Sequence, residues 1–263
     1  MIAIRSTKEL ELLREANRIV TTVLKRIAQM VRPGVATAQL DEVTEELIRE
    51  MGAIPAFKGY KNYPCSICTS IDEQVVHGIP SDRKLVEGEI VSIDVGTNYR
   101  GYFGDAAVTL AVGEVSSEKG RLMQVTQRAL GLGIKAATAG NHVSDISSAV
   151  QTEVERNGFS VVRQFVGHGI GTSPHEDPQV PNFTTGSSGA QLRPGMVIAI
   201  EPMVSAGDGD VEILEDNWTA VTVDRQPAAH FEHTVAIRDE GRPPEILTLI
   251  GGEESVRENR LGS

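Results

Sequence analysis

The stretch Ile90 to Thr109, IVSIDVGTNYRGYFGDAAVT, decides how the chain is to be read. Ile90 to Gly96 and Gly101 to Thr109 have the character of strands, and Asn98-Tyr99-Arg100-Gly101 between them has turn chemistry at both ends. The expectation is a tight hairpin. With Tyr99 and Arg100 as its two loop residues, Asp94 falls directly opposite Asp105, their Cβ atoms about 4.5–5.5 Å apart. Carboxylates that close repel each other. Nothing in the hairpin supplies a cation, so the pair makes sense if a metal ion lies between them or one carboxylate holds a proton. A slip of one residue would instead turn the two acids to opposite faces.

Outward from the hairpin, helix signals dominate the N-terminal side. Ser6-x-x-Glu9 reads as a capping box, followed by an apolar stripe through Leu10, Leu13, Ala16, Val20, Val23, Leu24, Ile27 and Val31 that ends at Pro33-Gly34. A second helix is expected over 37–51, stopping at Gly52. Beyond the hairpin, helices are expected over 117–138 and 143–157, and the chain from Phe159 reads as strands and loops.

That order conceals a repeat. Gly34 to Gly52 brackets a helix with the same spacing as Gly140 to Gly158. Leu85 to Asp94, LVEGEIVSID, aligns with Leu192 to Glu201, LRPGMVIAIE, and a His-Gly-Ile triplet precedes each strand, at His77 and at His168. The period is far too long for a solenoid. Two related α/β halves follow, with Asp94 and Glu201 at equivalent places about a pseudo-twofold axis.

The duplication extends the acid pair into a constellation. Each half offers a strand-borne acid and a histidine, and HFEHTVAI adds Glu232 on a strand face shared with Thr234 and Ala236. Singly, each acid is more often a strand-end group in water. Within buried-type strands such as VIAIE and SIDV an unpaired charge costs several kcal/mol. Four carboxylates from Asp94, Asp105, Glu201 and Glu232, with His168 neutral, are balanced by two divalent cations and not by one.

Composition narrows the class. The 263 residues are 40% hydrophobic, enough for a substantial core, and 36 acidic against 25 basic residues give a net charge of -11. No dense Lys/Arg run is present, which argues against nucleic acid as a partner. No apolar run reaches membrane-spanning length and no signal-peptide core opens the chain, so a cytoplasmic protein is expected. Cys65 and Cys68 form one CxxC with no second pair, which excludes a four-cysteine zinc site, and no helix signal follows to support a thioredoxin-like role.

The motifs VHGIP, SIDVG, GDAAV, GHGIGTSPHEDP, AIEPM and FEHT occur in one order across nearly the whole chain. As a set they closely resemble the type I methionine aminopeptidases, in the bacterial-length form without an N-terminal extension. The resemblance implies an α/β pita-bread fold in which pseudo-twofold-related halves surround a central antiparallel sheet, with helices packed outside. On this chain it implies a single catalytic domain with halves of roughly 1–113 and 114–250, and 251–263 as a tail. It also implies a dinuclear centre that removes initiator methionine from nascent chains when the second residue is small. Asp94 would bind one ion, Asp105 and Glu232 would bridge both, and His168 and Glu201 would complete the second. Co, Mn, Fe or Zn suits such a donor set.

The expected chemistry is attack by a hydroxide, formed from a bridging water whose pKa is lowered to about 7, on a carbonyl polarised by the same ions. By resemblance Glu201 is also the proton shuttle, His175 stabilises the tetrahedral intermediate and His77 contacts the scissile amide. The free α-amine of the substrate would take an open coordination site, which restricts cleavage to chain ends. The loop GYKNYPCSIC is apolar and soft enough for a methionine side chain, and resemblance places Tyr60, Tyr63, Cys68 and Trp218 around it. His142, His230 and His233 read as structural or exposed. Two positions depart from the family pattern: Pro174 stands where Phe or Met is common, thinning one pocket wall, and Asp72 stands where Asn is usual. The partners implied are N-terminal peptides of nascent chains, with transient ribosome contact by a monomer. A peptidase cutting beside proline, such as prolidase or Xaa-Pro aminopeptidase, is the alternative enzyme, and a metal-free binding module on the same fold the non-enzyme reading.

Overall fold

Ser6 opens the first helix as its spacing predicts: its side chain accepts from the Glu9 N–H while Glu9 Oε2 accepts from the Ser6 N–H at 2.8 Å. The helices are α1 (Thr7–Ala28), α2 (Thr37–Glu50), α3 (Ser117–Ala136) and α4 (Val143–Arg156). The computed structural model describes residues 2–249, so the expected tail at 251–263 lies outside the described residues. The strands before α3 are β1 (Ile54–Pro55), β2 (Ile67–Ile71), β3 (Gln74–Val76), β4 (Ile90–Tyr99) and β5 (Tyr102–Ala111). After α4 come β6 (Ser160–Val161), β7 (Gly167–Gly169), β8 (Glu176–Val180), β9 (Val197–Ile200), β10 (Met203–Ser205), β11 (Val211–Ile213), β12 (Ala220–Thr222), β13 (Ala228–His230), β14 (His233–Ala236) and β15 (Glu245–Ile246). No helix among the described residues is long and apolar enough to cross a membrane.

Two antiparallel sheets carry the structure. β4 is flanked by β5 on one side and by β1 and β2 on the other, while β15, β14, β9, β7 and β8 form a five-stranded sheet. They meet where the Glu232 N–H donates to the Ala107 carbonyl at 2.9 Å and Thr234 Oγ1 donates to the Asp105 carbonyl at 2.7 Å. Smaller sheets, β13-β10-β6 and β11-β12-β3, complete the layer. Helices α1 and α2 bury Ile19, Val20, Val23, Leu24, Leu40 and Ile48 against Ile67, Val91, Ile93 and Val95. Helices α3 and α4 do the same against Ile198, Ile200 and Val235. These faces drive the assembly, at about 25 cal/mol per Å² of apolar surface removed from water.

The repeated segments make the same backbone bonds in both places. Gly34 and Gly140, at φ 87° and 94°, donate to the carbonyls of Leu85 and Leu192 at 2.8 and 3.0 Å. The β-bridge Ala36–Lys84 has its counterpart in His142–Gln191. The glycines of the two His-Gly-Ile triplets are also required for one reason. A Cβ on Gly78 would stand 2.2 Å from the Thr69 carbonyl oxygen, and one on Gly169 2.1 Å from that of Asp177.

The hairpin register differs from expectation by two residues. Its loop is Arg100-Gly101, with φ 53° and 84°, and the strands close at Tyr99 opposite Tyr102. Both central residues are left-handed, the primed turn that matches strand twist, and Gly101 supplies the position where a side chain costs most. The Asn98 Oδ1 accepts from the Gly101 N–H at 2.9 Å. Asp94 therefore faces Ala107, and Asp105 faces Gly96. A shift of two keeps side-chain parity, so the acids stay on one face as diagonal neighbours. The CxxC does not lie on one strand: Cys65 precedes β2, Cys68 sits within it, and both thiols are free.

Candidate metal centre

A glycine makes room beside Asp105, and a strand junction carries Glu232 to the centre. Gly104 lets α1 lie against β5, since a Cβ there would stand 2.8 Å from the Ala16 carbonyl carbon and the Asn17 nitrogen. Asn17 Oδ1 then accepts from the Asp105 N–H at 3.2 Å, which holds β5 in place beneath the helix. Asp94 lies on the central strand β4, paired with Cys68 on one side. His168 pairs with Ala199 across β7 and β9, and Glu201 follows β9 directly. Glu232 stands between β13 and β14, at the junction of the two sheets.

One donor atom each from Asp105, His168 and Glu232 lie within 4.8 Å of one another. His168 Nε2 is 3.3 Å from Glu201 Oε1, and its Nδ1 is 2.9 Å from the Gly169 carbonyl. A neutral imidazole that donates from Nδ1 to that carbonyl leaves Nε2 as the donor atom for a cation, the arrangement common to metal-binding histidines. Asp105, His168 and Glu232 are buried.

Electrostatics ties Asp94 to the same group. Burial raises the carboxyls of Asp105, Glu201 and Glu232 well above the ordinary range, and the charge of Asp94 adds to each shift. Asp94 itself is pushed up to about 7 by burial, offset in part by a hydrogen bond from Asp105. Burial lowers His168 to about 4, so its imidazole is neutral at pH 7. Asp94 Oδ1, Asp105 Oδ1 and Glu232 Oε1 are buried without a hydrogen-bond partner. Orphaned acceptors of one sign, packed around a neutral imidazole, fit hard or borderline divalent cations.

Around this cluster lie the other expected residues. His175 is exposed; its ring centroid is 4.3 Å from that of His168 and its Nδ1 is 3.2 Å from the Tyr60 hydroxyl. His77 takes a left-handed φ of 61° and meets Phe165 and Trp218 edge-on, at 5.3 and 6.0 Å. Tyr63 packs edge-on against Trp218 at 5.0 Å, and its hydroxyl reaches the carbonyls of Ile67 and Gly78. Cys68 is buried, its thiol pushed up by burial and by the charge of Asp94. Aromatic rings and one thiol thus cluster beside the acids.

Three neighbours were not expected from the sequence. His230, read as structural or exposed, is buried with Nε2 3.7 Å from Glu201 Oε2 and no hydrogen-bond partner on that nitrogen. It ends β13 two residues before Glu232, which the sequence places on a strand with Thr234 but which lies in the break between β13 and β14. Asn182 donates from Nδ2 to the Glu201 carbonyl at 3.0 Å, and Phe165 braces His77; neither carries a local signal. The two remaining histidines keep their reading: His142 caps α4, and His233 Nδ1 lies 2.9 Å from the Thr248 hydroxyl.

Comparison with known proteins agrees with this geometry. A profile of metallopeptidase family M24 matches residues 11–239. Methionine aminopeptidase 1 of Bacillus subtilis (strain 168) is 48% identical over 250 residues, spanning 95% of this chain and 100% of its own. The crystal structure of methionine aminopeptidase from Thermotoga maritima superposes with a TM-score of 0.92 at 44% identity, covering 94% of this chain and 99% of that one. Prolidase from Pyrococcus furiosus shares the fold, with a TM-score of 0.76 at 21% identity over 94% of this chain and 65% of that one. The mixed α/β architecture, with antiparallel sheets covered by helices, is the pita-bread fold. The chain belongs to metallopeptidase family M24, among its methionine aminopeptidases.

Proposed function

We propose that this chain is a metal-dependent aminopeptidase that removes methionine from the N-termini of nascent proteins when the second residue is small. The observation that carries the reading is the set of unpartnered, buried carboxylate oxygens on Asp94, Asp105 and Glu232. In this reading Asp94, Asp105, His168, Glu201 and Glu232 would together hold divalent metal ions. Divalent ions held by these residues would supply an acidified water as nucleophile and polarisation of the scissile carbonyl.

The chain's own residues supply the rest. Glu201 carries its carboxylate at the edge of the cluster, with one oxygen toward His168 and the other toward His230, placed to accept a proton and pass it to the leaving amine. His175, exposed above His168, donates to the oxygen on which charge develops, and His77 to the scissile amide. Tyr60, Tyr63, Cys68 and Trp218 hold the methionine side chain, and Pro174, buried beside His175, forms one wall. We extend the reading to a cytoplasmic monomer that meets its substrates during transient ribosome contact.

Incubation of metal-loaded protein with Met-Ala-Ser and with Gly-Pro tests the reading. Methionine release alone is expected; cleavage of Gly-Pro alone would indicate a prolidase-like enzyme, and no cleavage with any divalent ion a binding module.

A further inference from the structure

The loop that carries His175 has no regular structure between β7 and β8, yet it is held by a part-buried ion pair to Arg5 near the start of the chain. Glu176 Oε1 accepts from the Thr172 N–H at 2.8 Å, the Thr172 hydroxyl at 3.1 Å and the Ser173 N–H at 3.0 Å. Its other oxygen accepts from the Arg5 guanidinium. The Arg5 side chain is only 7% exposed. Gly171 is the seat for that guanidinium: a Cβ there would stand 1.9 Å from Arg5 Nη2. Gly171 also ties the loop to the metal-bearing hairpin, its carbonyl accepting from the Phe103 N–H at 2.8 Å.

Arg5 is fixed on both sides along the chain. Its N–H donates to the Gly195 carbonyl at 2.8 Å, and the next residue, Ser6, caps α1. Gly195 precedes the strand that leads into Glu201, and a Cβ on it would stand 2.8 Å from Ile4. The segment 2–6 therefore lies pinned between the helix of one half and the strand of the other, with a buried cation turned toward a loop that otherwise has few ties. Leaving the Glu176 carboxylate part-buried without that cation would be costly.

Resting on the aminopeptidase reading above, we infer that Arg5 and Glu176 are positioning residues for His175. They set the height of the imidazole over His168, and the N-terminal arm is part of the active-site scaffold. Glu176 spends one oxygen closing the turn and the other on Arg5, so loss of either partner frees Thr172 and Ser173 and lets His175 drift. Displacement of a catalytic group by a fraction of an ångström to 1 Å lowers turnover by roughly ten- to a hundredfold while substrate binding is little changed.

Arg5→Ala, Glu176→Gln and the conservative Arg5→Lys, assayed with metal-loaded full-length protein on Met-Ala-Ser, test this, with Arg18→Ala on the exposed face of α1 as control. Amide hydrogen exchange at Thr172 and Ser173 is read in parallel. The expected result is a kcat lower by roughly tenfold for Arg5→Ala and Glu176→Gln with KM within about twofold. Exchange at the two amides rises, Arg5→Lys restores most of kcat, and metal stoichiometry is unchanged. Unchanged kcat in the two variants, or a fall confined to KM, would overturn the inference, as would faster exchange with normal turnover. Should Arg5→Ala fail to fold, Arg5→Lys and Glu176→Gln carry the same comparison. A wild-type protein inactive on Met-Ala-Ser with every divalent ion would instead overturn the functional reading, and the role given to His175 with it.

Discussion

His168 Nε2 stands 3.3 Å from Glu201 Oε1, with burial lowering the imidazole to about 4 and pushing the carboxyl well above its ordinary range. A neutral ring nitrogen and an acid oxygen that close form one half of a cation site and a modest hydrogen bond otherwise. His168→Ala is expected to remove one ion of the pair and leave the fold intact, so calorimetric titration with Mn²⁺ should lose one binding step.

Asp105→Asn tests the opposite side of the cluster. The substitution removes a bridging carboxylate and also relieves repulsion from Asp94 and Glu232, which contributes to the raised Asp105 carboxyl. Turnover should fall by orders of magnitude, at least about a hundredfold, while the metal-free protein melts at the same temperature or higher. Near-normal kcat would remove Asp105 from the centre.

The acid cluster makes the metal-free protein pH-sensitive in a defined direction. Asp94 titrates at about 7 in the folded chain, above its ordinary value, so the stability it contributes is present at low pH and is lost as pH rises through 7. His168 and His230, lowered to about 4 and 3, act the other way: their contribution is lost as pH falls below the ordinary histidine range. Above about pH 7.5 the histidines are neutral in both states, and only the acids retain a slope. The metal-free protein should therefore melt lower at pH 8.5 than at pH 7.5, and a saturating divalent ion should reverse the difference. Calorimetry in buffers of different ionisation enthalpy should show protons released on ion binding at pH 7.

His230→Ala removes the imidazole that the fold sets 3.7 Å from Glu201 Oε2. Groups behind a ligand typically contribute about 10–100-fold in metal affinity. Isothermal titration should show that loss for one ion, and His230→Gln, which retains a donor, should lose less.

Asp72, one of the departures from the family pattern, has a clear structural role. Its Oδ1 accepts from the Ile90 N–H at 3.0 Å and pairs with Lys119 Nζ at 2.7 Å, joining the hairpin of the first half to α3 of the second. Both side chains are partly exposed, so the pair contributes about 1 kcal/mol or less. Lys119→Met and Asp72→Asn should each lower the melting temperature slightly, and their effects should not add in the double variant.

The helices were legible because capping and periodicity are local. Ser6-x-x-Glu9, Gly52 and Gly158 mark helix ends that the structure places within two residues of expectation. The hairpin register was not legible to the pair, because the choice of Arg100-Gly101 over Tyr99-Arg100 as the loop depends on which two residues accept a left-handed φ. Side-chain parity survived the error, and with it the shared face of Asp94 and Asp105. The repeat located Glu201 from Asp94, since both follow a Gly-containing turn and an apolar strand. His230 was hidden by the usual weighting of a lone histidine toward structure, although it stands only two residues before Glu232. Glu176 and Asn182 act through backbone contacts set by tertiary structure, which leave no periodic trace.

A crystal of the protein grown with Mn²⁺ and measured at the metal's absorption edge tests the central claim most directly. Two anomalous peaks are expected, both touching Asp105 and Glu232, one also touching Asp94 and the other His168 and Glu201. No peak among these five residues, with the protein folded and the ion in excess, would contradict the account.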